Sequence, residues 1–216
     1  MISEGTTNYH KFIIILLHYT WPAMDFKFLV HTVKNIILDP VKEWDVIYAE
    51  NKPASYFRSS LLFPLLMLAS VSAFLGSFLF TNTELTNAYS ILTGVKYLIM
   101  LYLVIYGTAF IFKEVTNAFE LGKDFNLSFK IIVCSVVPFF LCQILSRLFE
   151  SFIFVNILSF YGLYILWTGI NKMIDPPERK KIILMISATV VFIALFSVVN
   201  WILTMVFDKL YFSIFS

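Results

Sequence analysis

Apolar residues run almost unbroken through five stretches of this chain, 60–80, 91–112, 129–149, 152–170 and 182–207, with polar residues gathered between them. Each stretch is close to the ~20 residues that an α-helix needs to cross a bilayer core about 30 Å thick. Inside lipid, only helices and closed barrels satisfy every backbone N–H and C=O. The stretches are continuous and do not alternate apolar with polar at period two, which favours helices over a barrel. Residues 129–170 would measure about 63 Å as a single helix, twice the core thickness. The polar knot Ser146, Arg147, Glu150 and Ser151 falls near their middle, so this region reads as a tight hairpin of two spans. The predicted fold class is all-α, a polytopic membrane protein with a five-transmembrane-helix bundle preceded by short interfacial amphipathic helices.

The first 58 residues carry a different pattern. Residues 1–23 read as an N-terminal extension: the apolar run 12–17 is too short for a span, no small-residue cleavage site follows it, and Met24 is an alternative start. From Met24 onward, Phe26, Leu29, Val30, Val33, Ile36 and Ile37 recur at the spacing of one helical face, and Lys27, His31 and Lys34 line another. A helix of this kind lies in the membrane interface with its cations among anionic headgroups. Asp39 then supplies an N-cap and Pro40 a first helical residue. The short helix that follows places Trp44, Ile47 and Tyr48 on one side, where an interfacial Trp keeps its ring buried and its N–H wet. Lys27, His31, Lys34 and Trp44 are therefore the candidate interfacial contacts. The plainer alternative is that these helices only cap the bundle. The expected division is 1–23 extension, 24–58 cytoplasmic or interfacial helices, 59–208 bundle and 209–216 external tail.

Composition agrees with the pattern. Hydrophobic residues make up 59% of the chain and charged residues 14%, against about 25% charged in soluble domains. A net charge of +2, with the cations scattered among acidic residues, points away from nucleic acid. Thirteen of the 16 Lys and Arg residues fall before the first span or in and around the second and fourth connections. The positive-inside rule then places the N-terminus in the cytoplasm and the C-terminus outside, in the inner membrane if the source is prokaryotic. Cys134 and Cys142 share one span roughly 12 Å apart, too far to bridge, and read as packing residues.

Two segments carry a family resemblance. VKNIILDPVKEWDVIYAE (33–50) places a short helix before a Pro-x-x-x-Trp turn, and YGLYILWTGINKM (161–173) is a Tyr-rich span end closing on Gly and a basic residue. Together with Pro138 in the third span, they resemble the prokaryotic branch of the Yip family, the Ypt/Rab-interacting membrane proteins, over residues 26–207. The resemblance implies a five-span bundle with a cytoplasmic head. Eukaryotic members are similar to trafficking factors that engage prenylated Rab GTPases. Their Asp-Leu-Tyr-Gly-Pro motif is absent from this sequence, so no binding residue carries over.

Catalytic chemistry finds little support. His10, His18 and His31 are isolated from one another at metal-ligand spacing, the seven glycines form no phosphate loop, and no nucleophile motif occurs. No cofactor or metal is expected. Charge within the spans is the one functional lead: Lys96, Arg147 and Glu150 map to the same end of the bundle, where Glu150 is expected to pair with one of the cations. Gln143 and Asn200 lie deeper, as interhelical hydrogen-bond formers or as part of a polar route. Ala69, Ala73 and Ser77, with Ser72 and Gly76 beside them, form a small-residue row suited to close helix packing within the chain or between copies. The expected function is a non-enzymatic membrane scaffold or adaptor, with membrane lipids and proteins at the cytoplasmic face as partners. The alternative is a small-solute or lipid permease with a polar interior.

Overall fold

The computed structural model describes residues 25–80 and 86–215, without the side chains of 86, 87, 150, 151, 212, 214 and 215. Helix α1 spans Phe26–Leu38 and starts where Asp25 Oδ1 accepts the Phe28 N–H at 2.9 Å. Helix α2, Pro40–Glu50, is capped by Asp39, which accepts the Lys42 N–H at 3.2 Å, and Pro40 takes the first turn, where a missing N–H costs nothing. Asn51 ends it in the left-handed region, with φ of 42°. Both caps of α2 stand in the sequence.

Helix α3 runs over Ala54–Phe80 and widens into a π-helical turn at Arg58–Leu62, just before Pro64. Proline has no N–H to give the carbonyl one turn back, and a wide turn relaxes that fault. Helix α4 is Thr86–Ala118. Helices α5, Phe125–Ser135, and α6, Val137–Leu148, meet at a 43° bend. Next come a 3₁₀ segment at Glu150–Phe160, kinked at Phe152, then α7 at Tyr161–Met173 and α8 at Glu178–Phe215.

Four of these stretches are long and apolar enough to cross a membrane: Ala54–Phe80, Ala88–Ala118, Phe152–Met173 and Glu178–Tyr211. The bent pair α5–α6 makes a fifth if it counts as one span. The described residues contain no strand, so the protein is an all-α polytopic membrane protein. The bend has a local cause. Val136 leaves helical geometry (φ −88°, ψ 2°), Pro138 cannot donate to the turn before it, and Gly162 of α7 fills the gap. A Cβ at Gly162 would lie 2.5 Å from the Ser135 carbonyl oxygen.

Helix α4 packs between α3 and α8, while α6 lies against α3 and the 3₁₀ segment, and α5 against α7. The small-residue row is used inside the chain. Ala69 and Ala73 are buried, and Ser70 Oγ donates to the Gly94 carbonyl at 2.8 Å. Gly76 lets α6 approach so closely that a Cβ there would overlap the Arg147 carbonyl. Cys134 and Cys142 are buried free thiols on either side of the bend. Helix α8 is the most open, with Ile186, Val190, Ile193, Val198 and Trp201 turned outward as a lipid-facing side requires. Helices α1 and α2, the start of α3, the end of α4, the start of α5 and the end of α7 gather at one end, the head end.

Candidate functional site

The two segments that carried the family resemblance are built into one joint. Trp44 of α2 is 0% exposed, and its Nε1 donates to the Ile165 carbonyl of α7 at 3.1 Å. Its ring lies flush on Gly169, where a Cβ would stand 2.5 Å from Cζ2, so α7 has a glycine at the place the indole occupies. One turn on, Lys172 pairs with Asp45 at 2.5 Å and lies 5.3 Å from the Tyr48 ring centre. At the other end of α7, the Tyr161 hydroxyl donates to the Ile37 carbonyl at 3.0 Å. Trp44 was expected at the lipid interface with a wet N–H; that N–H is instead satisfied within protein.

Helix α1 is fixed in a similar way. Leu29, Thr32 and Ile36 are buried, and Phe28 meets Tyr56 and Phe57 edge-on at 4.8 and 5.5 Å. The apolar stripe expected to face lipid therefore divides. Phe26 and Val30 point outward, and Lys27, His31 and Lys34 are exposed with them. Asp25 ties α1 to α3 by accepting the Tyr56 hydroxyl at 2.7 Å. That bond, followed by the Phe28 N–H, holds the Asp25 carboxyl below the usual carboxylate range.

At the opposite end, Lys96 and Arg147 turn to different partners. Lys96 Nζ donates to Thr204 Oγ1 of α8 at 2.9 Å. Arg147 lays its guanidinium 4.7 Å from the ring centre of Tyr97. Neighbouring residues on a helix point about 100° apart, so Lys96 and Tyr97 serve different flanks of α4 and keep the two cations separate. The Glu150 side chain, and with it the expected ion pair, lies outside the described residues. Gln143 accepts from the Tyr97 hydroxyl and donates to Asn156 Oδ1 at 3.0 Å. Asn200 is exposed on α8 and does not join Gln143. The sequence reading missed Tyr97 and Asn156, although Asn156 stands out as the single amide in the apolar run 152–170.

Beside this chain of hydrogen bonds, a cleft of about 290 Å³ opens between the bend, α7 and α8. Its walls are mostly apolar, with Ile132, Val136, Phe139, Leu166, Phe192 and Phe196 among them. Phe139 meets Phe192 and Phe196 edge-on at 5.3 and 5.7 Å. Gln143, Asn156 and Ser135 supply polar edges. Among the described residues, no group of three His, Cys, Asp or Glu side chains is placed to hold a metal.

A family model, the Yip1 domain, matches residues 34–199. No curated protein and no solved structure gives a match. The matched stretch begins in α1, contains the whole Trp44–Gly169 joint, ends within α8 and covers more than two thirds of the sequence. This multi-pass, all-helical chain belongs to the Yip1 domain family of integral membrane proteins.

Proposed function

We propose that the protein is a non-enzymatic membrane scaffold or adaptor whose head, α1 and α2, faces the cytoplasm and meets protein partners. The observation that carries this reading is the anchored head. Trp44, Lys172, Tyr161 and Asp25 bind its inner side to the bundle through four separate contacts. Its outer side keeps Lys27, Val30, His31, Lys34, Leu38 and Val41 exposed. A surface held rigid before contact loses less entropy on binding, which suits an adaptor. The thirteen-to-three division of cations supports a cytoplasmic head, with the connections near Lys123 and Arg179 on the same side and Glu84 and Ser216 outside.

The test pairs topology with capture. Single cysteines at Lys123 and Arg179 label from the cytoplasm and those at Glu84 and Ser216 from outside; labelling of Ser216→Cys only from inside overturns the orientation. A photocrosslinker at Val30 or Leu38 yields protein adducts in cells, whereas one at Val198 yields lipid adducts. Lipid adducts alone at Val30 and Leu38 overturn the adaptor reading. The cleft beside α8 is the observation that favours a permease. Its apolar walls suit a lipid better than a polar solute, and Gln143 is already bonded on both sides. Transbilayer movement of fluorescent lipid by the reconstituted protein is the result that favours the permease over the adaptor.

A further inference from the structure

Where α2 ends, α3 and α5 begin and α7 ends, a cavity of about 740 Å³ opens at the head end. Arg58 and Lys130 line it, together with Asn51, Ser55, Asp124 and Asn126. Asp124 uses its carboxylate to cap α5, accepting the Asn126 and Leu127 N–H groups at 2.7 and 3.3 Å. The lining thus holds two cations against one carboxylate already engaged. The N-terminus of α5, the positive end of that helix, forms part of the wall.

Lys130 is the informative residue. It is only 6% exposed, yet among the described residues its Nζ has no hydrogen bond and no carboxylate within 4 Å. Its described aromatic neighbour is Phe57, with the ring centre 5.9 Å away. The ion pairs of the described residues take Lys42, Lys52, Lys113, Lys123, Lys172 and Lys181 instead. The stem of Lys130 is buried while its Nζ opens on the cavity, so the ammonium is held at the wall with no counter-charge from the described residues, as an anion site requires. Arg58 also lacks a carboxylate within 4 Å; its guanidinium lies over the rings of Tyr106 and Phe129 at 5.6 and 6.0 Å. Such stacking leaves the planar fork of N–H donors free for oxyanions. Among the described residues, two other charged side chains are as deeply buried: Lys181, which pairs with Glu178, and Glu43 of α2, at 3% exposure. Glu43 and Lys130 both lie near the Cys134 thiol, but no ion pair within 4 Å joins them and Glu43 does not line the cavity.

Depth identifies the source of the anion. Lys130 stands six residues past Asp124, about 9 Å along the axis from the start of the span, which is the level where headgroups meet acyl chains. Leu127 and Met173 give the cavity an apolar flank. We propose that this cavity binds the phosphate of an anionic phospholipid headgroup, with Lys130 and Arg58 contacting its oxygens. The lipid would then seat between the head and the bundle and brace the joint made by Trp44.

The full chain in mild detergent is titrated with dihexanoyl phosphatidylglycerol or with inorganic phosphate, and melting temperature and native mass spectra are read. The wild type gains several degrees with the lipid and retains one lipid molecule in the gas phase. Lys130→Met melts close to the wild type without lipid, because Met keeps an apolar stem in the buried position, and it binds the lipid at least tenfold more weakly. Arg58→Gln, exposed and safe for folding, weakens binding severalfold and tests the site even if Lys130→Met does not fold. An unchanged lipid shift in either variant overturns the proposal. An equal shift with inorganic phosphate at equal concentration overturns the lipid source. If Lys130→Met melts well below the wild type without lipid and Glu43→Gln reverses the loss, the lysine is the counter-charge of Glu43, and the proposal fails.

Discussion

Truncating Trp44 tests whether the head is docked in protein or merely rests on lipid. The indole is wholly buried and lies on Gly169. Losing a buried ring of that size costs about 3–5 kcal/mol in transfer and cavity terms. Its N–H bond to the Ile165 carbonyl adds only about 1 kcal/mol, because that oxygen also accepts from Thr168 Oγ1 at 2.9 Å and is not orphaned. The Asp45–Lys172 pair is half exposed, contributes about 0–1 kcal/mol, and does not hold α2 by itself. Trp44→Phe should therefore be mild and Trp44→Ala severe. Hydrogen exchange of the α2 amides in detergent reads this directly, since opening of the head is a local event. At 1.4 kcal/mol per decade, Trp44→Ala should speed exchange roughly a hundred- to a few-thousandfold, and Trp44→Phe about fivefold. Unchanged α2 exchange in Trp44→Ala would refute the docked ring and return the residue to the lipid interface.

Gly162→Ala places a Cβ 2.5 Å from the Ser135 carbonyl oxygen, backbone against backbone, and should cost about 1–3 kcal/mol. An unaltered melting temperature in detergent would deny the close approach of α5 and α7. Asp25 gives a pH dependence of known sign. Its carboxyl is held low by Tyr56 and then by Phe28, so its support for α1 is complete above the unfolded carboxylate value of about 3.9 and fades as pH falls through the lower folded value. Exchange at the first turn of α1 should accelerate there in the wild type and be flat in Asp25→Asn; identical profiles would remove Asp25 from the account.

The features that local chemistry decides were readable from the sequence. Asp39 and Pro40 announced the start of α2 and the polar knot at 146–151 the hairpin, because each acts on its own backbone within a turn. Direction around a helix was not readable. Helix α8 is apolar on all sides, so nothing in its pattern separates the bundle face from the lipid face, and Asn200 pointed outward where an inward position was expected. Lys96 and Arg147 were expected to converge, but Lys96 turns to Thr204 and Arg147 to Tyr97. Trp44 was misplaced because an interfacial aromatic and a buried one share the same flanking pattern; only the glycine 125 residues later reveals the socket.

The 3₁₀ winding of Glu150–Phe160 has a bearing on the bilayer itself. A 3₁₀ turn advances about 2.0 Å per residue against 1.5 Å for an α-turn, so rewinding the part of this segment inside the span, from Ile153 to Phe160, as α-helix would shorten the crossing by roughly 4 Å. That is comparable to the difference in hydrocarbon thickness between thin and thick cellular membranes, about 27 versus 32–33 Å. Hydrophobic mismatch costs fractions of a kcal/mol per Å, on the same scale as the small preference between the two windings. The fourth crossing thus carries a reserve of length, and a thin membrane would draw on it before the helices of the bundle had to tilt.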